Sequence, residues 1–183
     1  MVTVRRDRQR GGWVLNCDLW LPAPIGRVFE FFSDAFQLEA ITPPWLRFRV
    51  ITPAPIEIEE GTRIDYRLRL RGIPVRWRSA ISVWQPPYRF VDEQLAGPYR
   101  LWRHEHTFVS ERGGTRCADE VHYDVPGGRL VNWLIVQRDV ETIFRYRAER
   151  LRELFPSDEA AANRERAPAG AEDSAGRGNS AGR

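Results

Sequence analysis

The stretch that decides the fold runs Gly97-Pro98-Tyr99-Arg100-Leu101-Trp102-Arg103-His104-Glu105-His106-Thr107-Phe108-Val109, then Ser110-Glu111-Arg112-Gly113-Gly114, then Thr115 to Tyr123. Side chains on a β-strand alternate between its two faces. Trp102, His104, His106 and Phe108 therefore share one face, and Arg103, Glu105 and Thr107 take the other. Two large aromatics mark the first face as interior, so both histidines point inward. After the turn, Thr115, Cys117, Asp119, Val121 and Tyr123 share a face. If Ser110 pairs with Thr115 across the Gly113-Gly114 turn, His106 stands opposite Asp119 and Trp102 opposite Tyr123. The same counting across a short loop at Gly97 to Tyr99 sets Asp92 opposite His104.

Working outward, the chain on the N-terminal side repeats this alternation. Tyr88 to Leu95 is a strand with Phe90, Asp92 and Gln94 on the inner face. Pro86-Pro87 separates it from a strand whose inner face is Val75, Trp77, Ser79, Ile81 and Val83. Gly72 and Pro74 mark a hairpin turn. Before it, Ile64, Tyr66, Leu68 and Leu70 alternate strictly with Arg63, Asp65, Arg67 and Arg69. On the outer face this pairing predicts Arg69 beside Arg76 and Arg67 beside Arg78, with acids such as Asp65 to offset the like charges. Gly12 to Leu21 is another strand, with Trp13, Leu15, Cys17, Leu19 and Leu21 facing inward. Ile25 to Ser33 carries Ile25, Val28, Phe29 and Phe32 at helical spacing behind Pro24. Ala35 to Ile41 reads as a second short helix, and Trp45 to Ile51 as extended chain. Beyond Pro126-Gly127-Gly128 the period changes. Leu130, Leu134, Val140, Phe144, Leu151 and Phe155 form the stripe of a long helix, widened by Val136, Ile143 and Leu154 and stopped by Pro156.

The chain has 183 residues, enough for one domain with tails, and its seven Trp and nine Phe require a folded core. Its basic residues are all arginine, which fits the codon usage of a GC-rich genome. Residues 1–11 read as a mobile basic arm, 12–156 as the folded domain and 157–183 as a disordered tail. Arg5, Arg6, Arg8 and Arg10 against Asp7 account for the formal net charge of +3. The folded body is thus balanced, which argues against nucleic-acid binding. Cys17 and Cys117 sit inside strand patterns, as buried thiols of a reducing cytoplasm. No apolar run follows Arg5-Arg6, so an export signal is not expected, and no stretch is long enough to span a membrane.

The order is a strand, two short helices, six strands and one long helix. It resembles the α+β helix-grip fold of the START and birch-pollen-allergen (SRPBCC) superfamily. The likeness covers roughly Trp13 to Phe155. Three segments sharpen it: Phe90-x-Asp92-x-Gln94-x-x-Gly97-Pro98, Trp102-x-His104-x-His106-x-Phe108 and Ile143-Phe144-x-Tyr146-Arg147. They are similar to a bacterial subgroup labelled ligand-binding or polyketide cyclase/dehydrase-like. The resemblance implies a seven-stranded antiparallel sheet curled around the C-terminal helix, with a cavity between them.

That cavity would take a small hydrophobic ligand, aromatic or polyketide-like, against Tyr66, Trp77, Phe90, Gln94, Trp102, Phe108, Tyr123 and Phe144. Two imidazole–carboxylate dyads, Asp92 with His104 and Asp119 with His106, supply its polar wall. A carboxylate fixes the tautomer of an imidazole and raises its basicity. Three roles stay open for the dyads: buried groups satisfying each other, ligand-orienting hydrogen-bonders, or general acid/base catalysts of a cyclase/dehydratase-type reaction. The corresponding functions are a ligand binder or carrier, a cofactor-free enzyme, and a regulatory module with a vestigial pocket. No cofactor motif is present. No metal is expected, because His104 and His106 on one strand would have to aim both rings at one point.

Overall fold

The computed structural model describes residues 1–157. Nearly all of the disordered tail expected from 157 to 183 lies outside the described residues. Eight strands among them form one antiparallel sheet. They are β1 (Val2–Arg6), β2 (Trp13–Leu21), β3 (Arg49–Val50), β4 (Arg63–Leu70), β5 (Ile73–Gln85), β6 (Arg89–Ala96), β7 (Leu101–Glu111) and β8 (Gly114–Asp124). Their order across the sheet is β1-β2-β8-β7-β6-β5-β4-β3. Two short helices, α1 (Ile25–Ser33) and α2 (Gln37–Ile41), follow β2. The C-terminal helical run comprises α3 (Gly128–Val131), a π-helical turn (Asn132–Val136) and α4 (Gln137–Leu154). No helix among the described residues is long and apolar enough to cross a membrane.

The register of β7 and β8 is the one the alternation predicts. Ser110 pairs with Thr115, His106 with Asp119, and Trp102 with Tyr123. The turn itself is Arg112-Gly113, both at positive φ, which is the backbone a two-residue hairpin loop of this twist demands. Asp92 faces His104 across β6 and β7, also as expected.

Val140, Phe144, Ala148 and Leu151 of α4 are buried against the concave side of the sheet. Val28, Phe29 and Phe32 of α1 close the same core from another side. Burying one stripe of each helix and one face of the sheet removes most of the large apolar surface from water, the main stabilising term of a domain this size.

Three expectations are corrected. Residues 1–11 are not a free arm: Val2–Arg6 pairs along its length with β2, and Val2 and Val4 pack on the core. Two valines at period two suffice once β2 offers an edge, and Asp7 then caps the turn by accepting the Gln9 and Arg10 N–H groups at 2.9 and 3.0 Å. This strand makes eight where seven were expected.

The β4–β5 hairpin turns on Arg71-Gly72, not on Gly72 to Pro74, so the pairing slips by two residues. Asp65 then faces Arg78 and binds it in two places, at 2.6 and 2.9 Å. Only Arg67 and Arg76 meet as like charges on these two strands.

The stripe of the last helix does not run unbroken. Leu130 and Leu134 are 63% and 56% exposed, while Asn132 is buried. A π-helical turn holds one more residue than an α-helical turn, so it rotates the face that precedes it away from the core.

Candidate functional site

Curling the sheet around α4 leaves a cavity of about 180 Å³ between the two, covered at one side by α1 and the chain after it. Of the residues expected to contact a ligand, Tyr66, Trp77, Phe90, Trp102 and Phe144 line it. Asp92, His104 and His106 line it as well. The other three lie elsewhere. Phe108 is buried behind the cavity, its ring 5.5 Å from Phe29 and 5.0 Å from Phe32. Tyr123 is fully buried and stacks 5.9 Å from Trp13. Gln94 turns its amide onto the β6–β7 loop, donating to the Tyr99 carbonyl at 2.8 Å and accepting from the Tyr99 N–H at 3.3 Å. The loop can approach that amide because residue 97 is glycine: a Cβ there would come within 2.3 Å of Gln94 Oε1.

The two histidines do not form separate dyads. They form a closed box with both carboxylates. His104 Nε2 is 3.2 Å from Asp119 Oδ1, and His106 Nδ1 is 2.7 Å from the same oxygen. The second contact is close but poorly aligned for a hydrogen bond, so it is chiefly charge with dipole or charge. On the cavity side, Asp92 Oδ2 stands 3.5 Å from His104 Nδ1 and 3.4 Å from His106 Nε2. The two ring centroids are 3.8 Å apart. Phe90 stacks on His106 at 4.1 Å, and Phe144 meets His104 edge-on at 5.4 Å. Packing thus aims both rings at one region, which counting along the strand did not anticipate.

The electrostatics follow from burial and proximity. Burial lowers the pKa of His104 below the ordinary histidine value; neighbouring His106 adds to this, and Asp119 and Asp92 oppose it. For His106, burial is also the largest influence, but the close carboxylates, Asp119 first and then Asp92, outweigh it and raise the pKa. Burial would raise both carboxylates. The imidazoles and the Arg147 guanidinium overcome it, so Asp92 is lowered and Asp119 lies well below the usual range.

Arg147 is a candidate residue to which the sequence alone assigned no role. It lines the cavity, its guanidinium carbon lies 5.3 Å from the centroid of the Phe32 ring, and its Nε and Nη2 are buried without a hydrogen-bond partner among the described residues. Its spacing, seven residues after Val140 and three after Phe144, places it on the same helix face as both. Tyr99, assigned to a loop, and Phe32, assigned to the helix core, line the cavity too.

A curled antiparallel sheet gripping a C-terminal helix, with a mainly apolar cavity between, is the architecture of the START and birch-pollen-allergen superfamily. Within it, residues 21–147 match the family described as polyketide cyclase / dehydrase and lipid transport, and the chain belongs to that family. Solved structures share the fold at low identity. Protein Ms6760 from Mycobacterium smegmatis is 18% identical with a TM-score of 0.61, covering 84% of this chain and 97% of that one. Protein CV1439 from Chromobacterium violaceum is 14% identical with a TM-score of 0.64, covering 79% and 99%. A START superfamily protein from Mycobacterium smegmatis is 13% identical with a TM-score of 0.56, covering 77% and 98%. No curated protein matches the chain in sequence.

Proposed function

We propose that the chain binds or carries a small, mainly apolar molecule with one oxygen-bearing, anionic end. The observation that carries this reading is Arg147: a half-buried side chain whose Nε and Nη2 are buried and unpartnered among the described residues, set in a wall that is otherwise largely aromatic and aliphatic. An unpaired buried donor is costly, and a ligand oxygen removes the cost. The volume sets the size. Cavities of about 150 Å³ accept benzene, so 180 Å³ suits one substituted ring rather than a fused polycycle or a long acyl chain. A molecule of about nine non-hydrogen atoms, at about 0.6 kcal/mol each, would bind with a Kd of about 0.1 mM.

The partner in this reading is a small molecule rather than a nucleic acid, since several arginines on the outer face of the central strands are matched by acids. Arg89 pairs with Glu105, Arg103 with Glu93 and Glu105, and Arg116 with Asp18. The two free buried thiols fit a reducing, cytoplasmic setting.

Trp77 and Trp102 line the cavity and report on its contents. Titrating a panel of monocyclic aromatic carboxylates and their isosteric amides should quench tryptophan emission, with acids binding more tightly than amides. Quenching by neither series, or equal affinity for both, defeats the proposal.

A further inference from the structure

We propose that Asp92, His104 and His106 hold a divalent first-row transition-metal ion of the zinc type, with Asp119 as the carboxylate that orients both imidazoles. One donor atom from each of the three lies within 4.8 Å of the others. Asp92 Oδ2 is 3.5 Å from His104 Nδ1 and 3.4 Å from His106 Nε2. These separations exceed the usual 2.7–3.2 Å of an N–H···O bond. They match the edge of a coordination tetrahedron instead: donors about 2.0–2.1 Å from zinc stand about 3.3–3.4 Å from each other.

The far sides of the rings agree with this. His104 Nε2 and His106 Nδ1 both turn to Asp119 Oδ1, at 3.2 and 2.7 Å. Histidines that ligate metals commonly present their other nitrogen to a carboxylate, which sets the tautomer and ring direction. Here one carboxylate does so for two rings. Asp119 lies behind the histidines, whereas Asp92, His104 and His106 line the cavity, so the remaining coordination position opens into it. Charge balances as well. Two positive charges on the ion meet Asp92 and Asp119, which leaves Arg147 free to face an anionic ligand oxygen.

Two imidazoles and one carboxylate suit zinc, cobalt(II) or iron(II). Magnesium and calcium favour all-oxygen shells, and copper(I) favours sulfur. The site needs only these four side chains and does not depend on the identity of the organic ligand.

The test uses the full chain without an affinity tag, stripped with a chelator. Zn²⁺ is titrated by calorimetry and Co²⁺ by visible absorption, with no organic ligand present. One ion per chain is expected, with the intense visible bands of four- or five-coordinate cobalt. Asp92→Asn, checked for folding by near-UV circular dichroism, should abolish saturable binding. Asp119→Asn should weaken it about 10- to 100-fold. His122 is the control, because it sits 3.0 Å from Asp7 and 2.7 Å from Glu120 in a separate cluster; His122→Ala should bind as the parent does. No saturable binding, binding retained in folded Asp92→Asn, or binding lost in His122→Ala overturns the proposal. Failure here leaves the fluorescence result with aromatic acids untouched, so the two readings fail separately.

Discussion

Replacing Arg147 with Met tests how the cavity recognises a ligand. Methionine keeps an unbranched stem of similar length on α4, so the aromatic wall keeps most of its packing. What disappears is the guanidinium, whose Nε and Nη2 have no partner to abandon among the described residues. The hydrogen bond it would make to a carboxylate is charge-assisted, worth about 1.5–3 kcal/mol, or roughly 10- to 150-fold in Kd. An isosteric amide offers a neutral oxygen and should lose much less, about 0.5–1.5 kcal/mol. The expected result is a collapse of the acid-over-amide preference, with the amide Kd moving by about tenfold at most. Tryptophan fluorescence titration supplies both constants, and thermal melting supplies the control. A modest fall in melting temperature is expected, since the guanidinium lies over Phe32 and offsets part of the charge of Asp92 and Asp119. Equal weakening of acids and amides in a folded variant would refute the reasoning, because it would make Arg147 a packing residue.

Phe108→Ala should act the opposite way. Truncating a ring that is buried behind the cavity should cost about 3–5 kcal/mol and lower the melting temperature by roughly 6–20 °C, while acid binding by the folded fraction stays within twofold of the parent; a large change in affinity would place Phe108 at the ligand. Glu105 is held below the ordinary glutamate value, first by its hydrogen bond to Arg89, then by Arg103. Its contribution should be fully present above about pH 4.3 and vanish as pH falls through the lower folded value. Glu105→Gln should therefore be less stable by about 1 kcal/mol at neutral pH and indistinguishable in strong acid; urea midpoints across pH check this, and a gap that widens in acid contradicts it. Burial pushes the Cys17 thiol up to about 11 and the Cys117 thiol up to about 12. Iodoacetamide at pH 8 should label neither in the native protein and both after unfolding, read by intact mass; rapid native labelling would show that β2 and β8 separate easily.

The strand face bearing Trp102, His104, His106 and Phe108 was legible in the sequence because alternation and a short hairpin are local properties. Once Ser110 is paired with Thr115, every partner of β7 on β8 follows by counting, and His106 opposite Asp119 with it. The same logic ordered the elements, and the resemblance that order carried named the fold. Counting stops at the backbone register. Where a side chain leans depends on neighbours far away in the sequence: Phe90 and Phe144 press the two imidazoles together, and that turns two dyads into one box. Three residues of the inner face do not reach the cavity, which alternation alone could not show: Gln94 is drawn to the β6–β7 loop, Phe108 lies under Phe32, and Tyr123 is covered by Trp13. The phase of the last helix was settled by the π-helical turn at Asn132–Val136, a backbone choice with no plain signature in the residues. Arg147 was in view as a motif residue, yet its guanidinium acquires a role only when α4 lies across the concave face of the sheet. The difference is physical. Periodicity and turn chemistry act within a few residues, whereas cavity volume, burial and the meeting of charges depend on how the sheet curls around a helix about forty residues further along the chain.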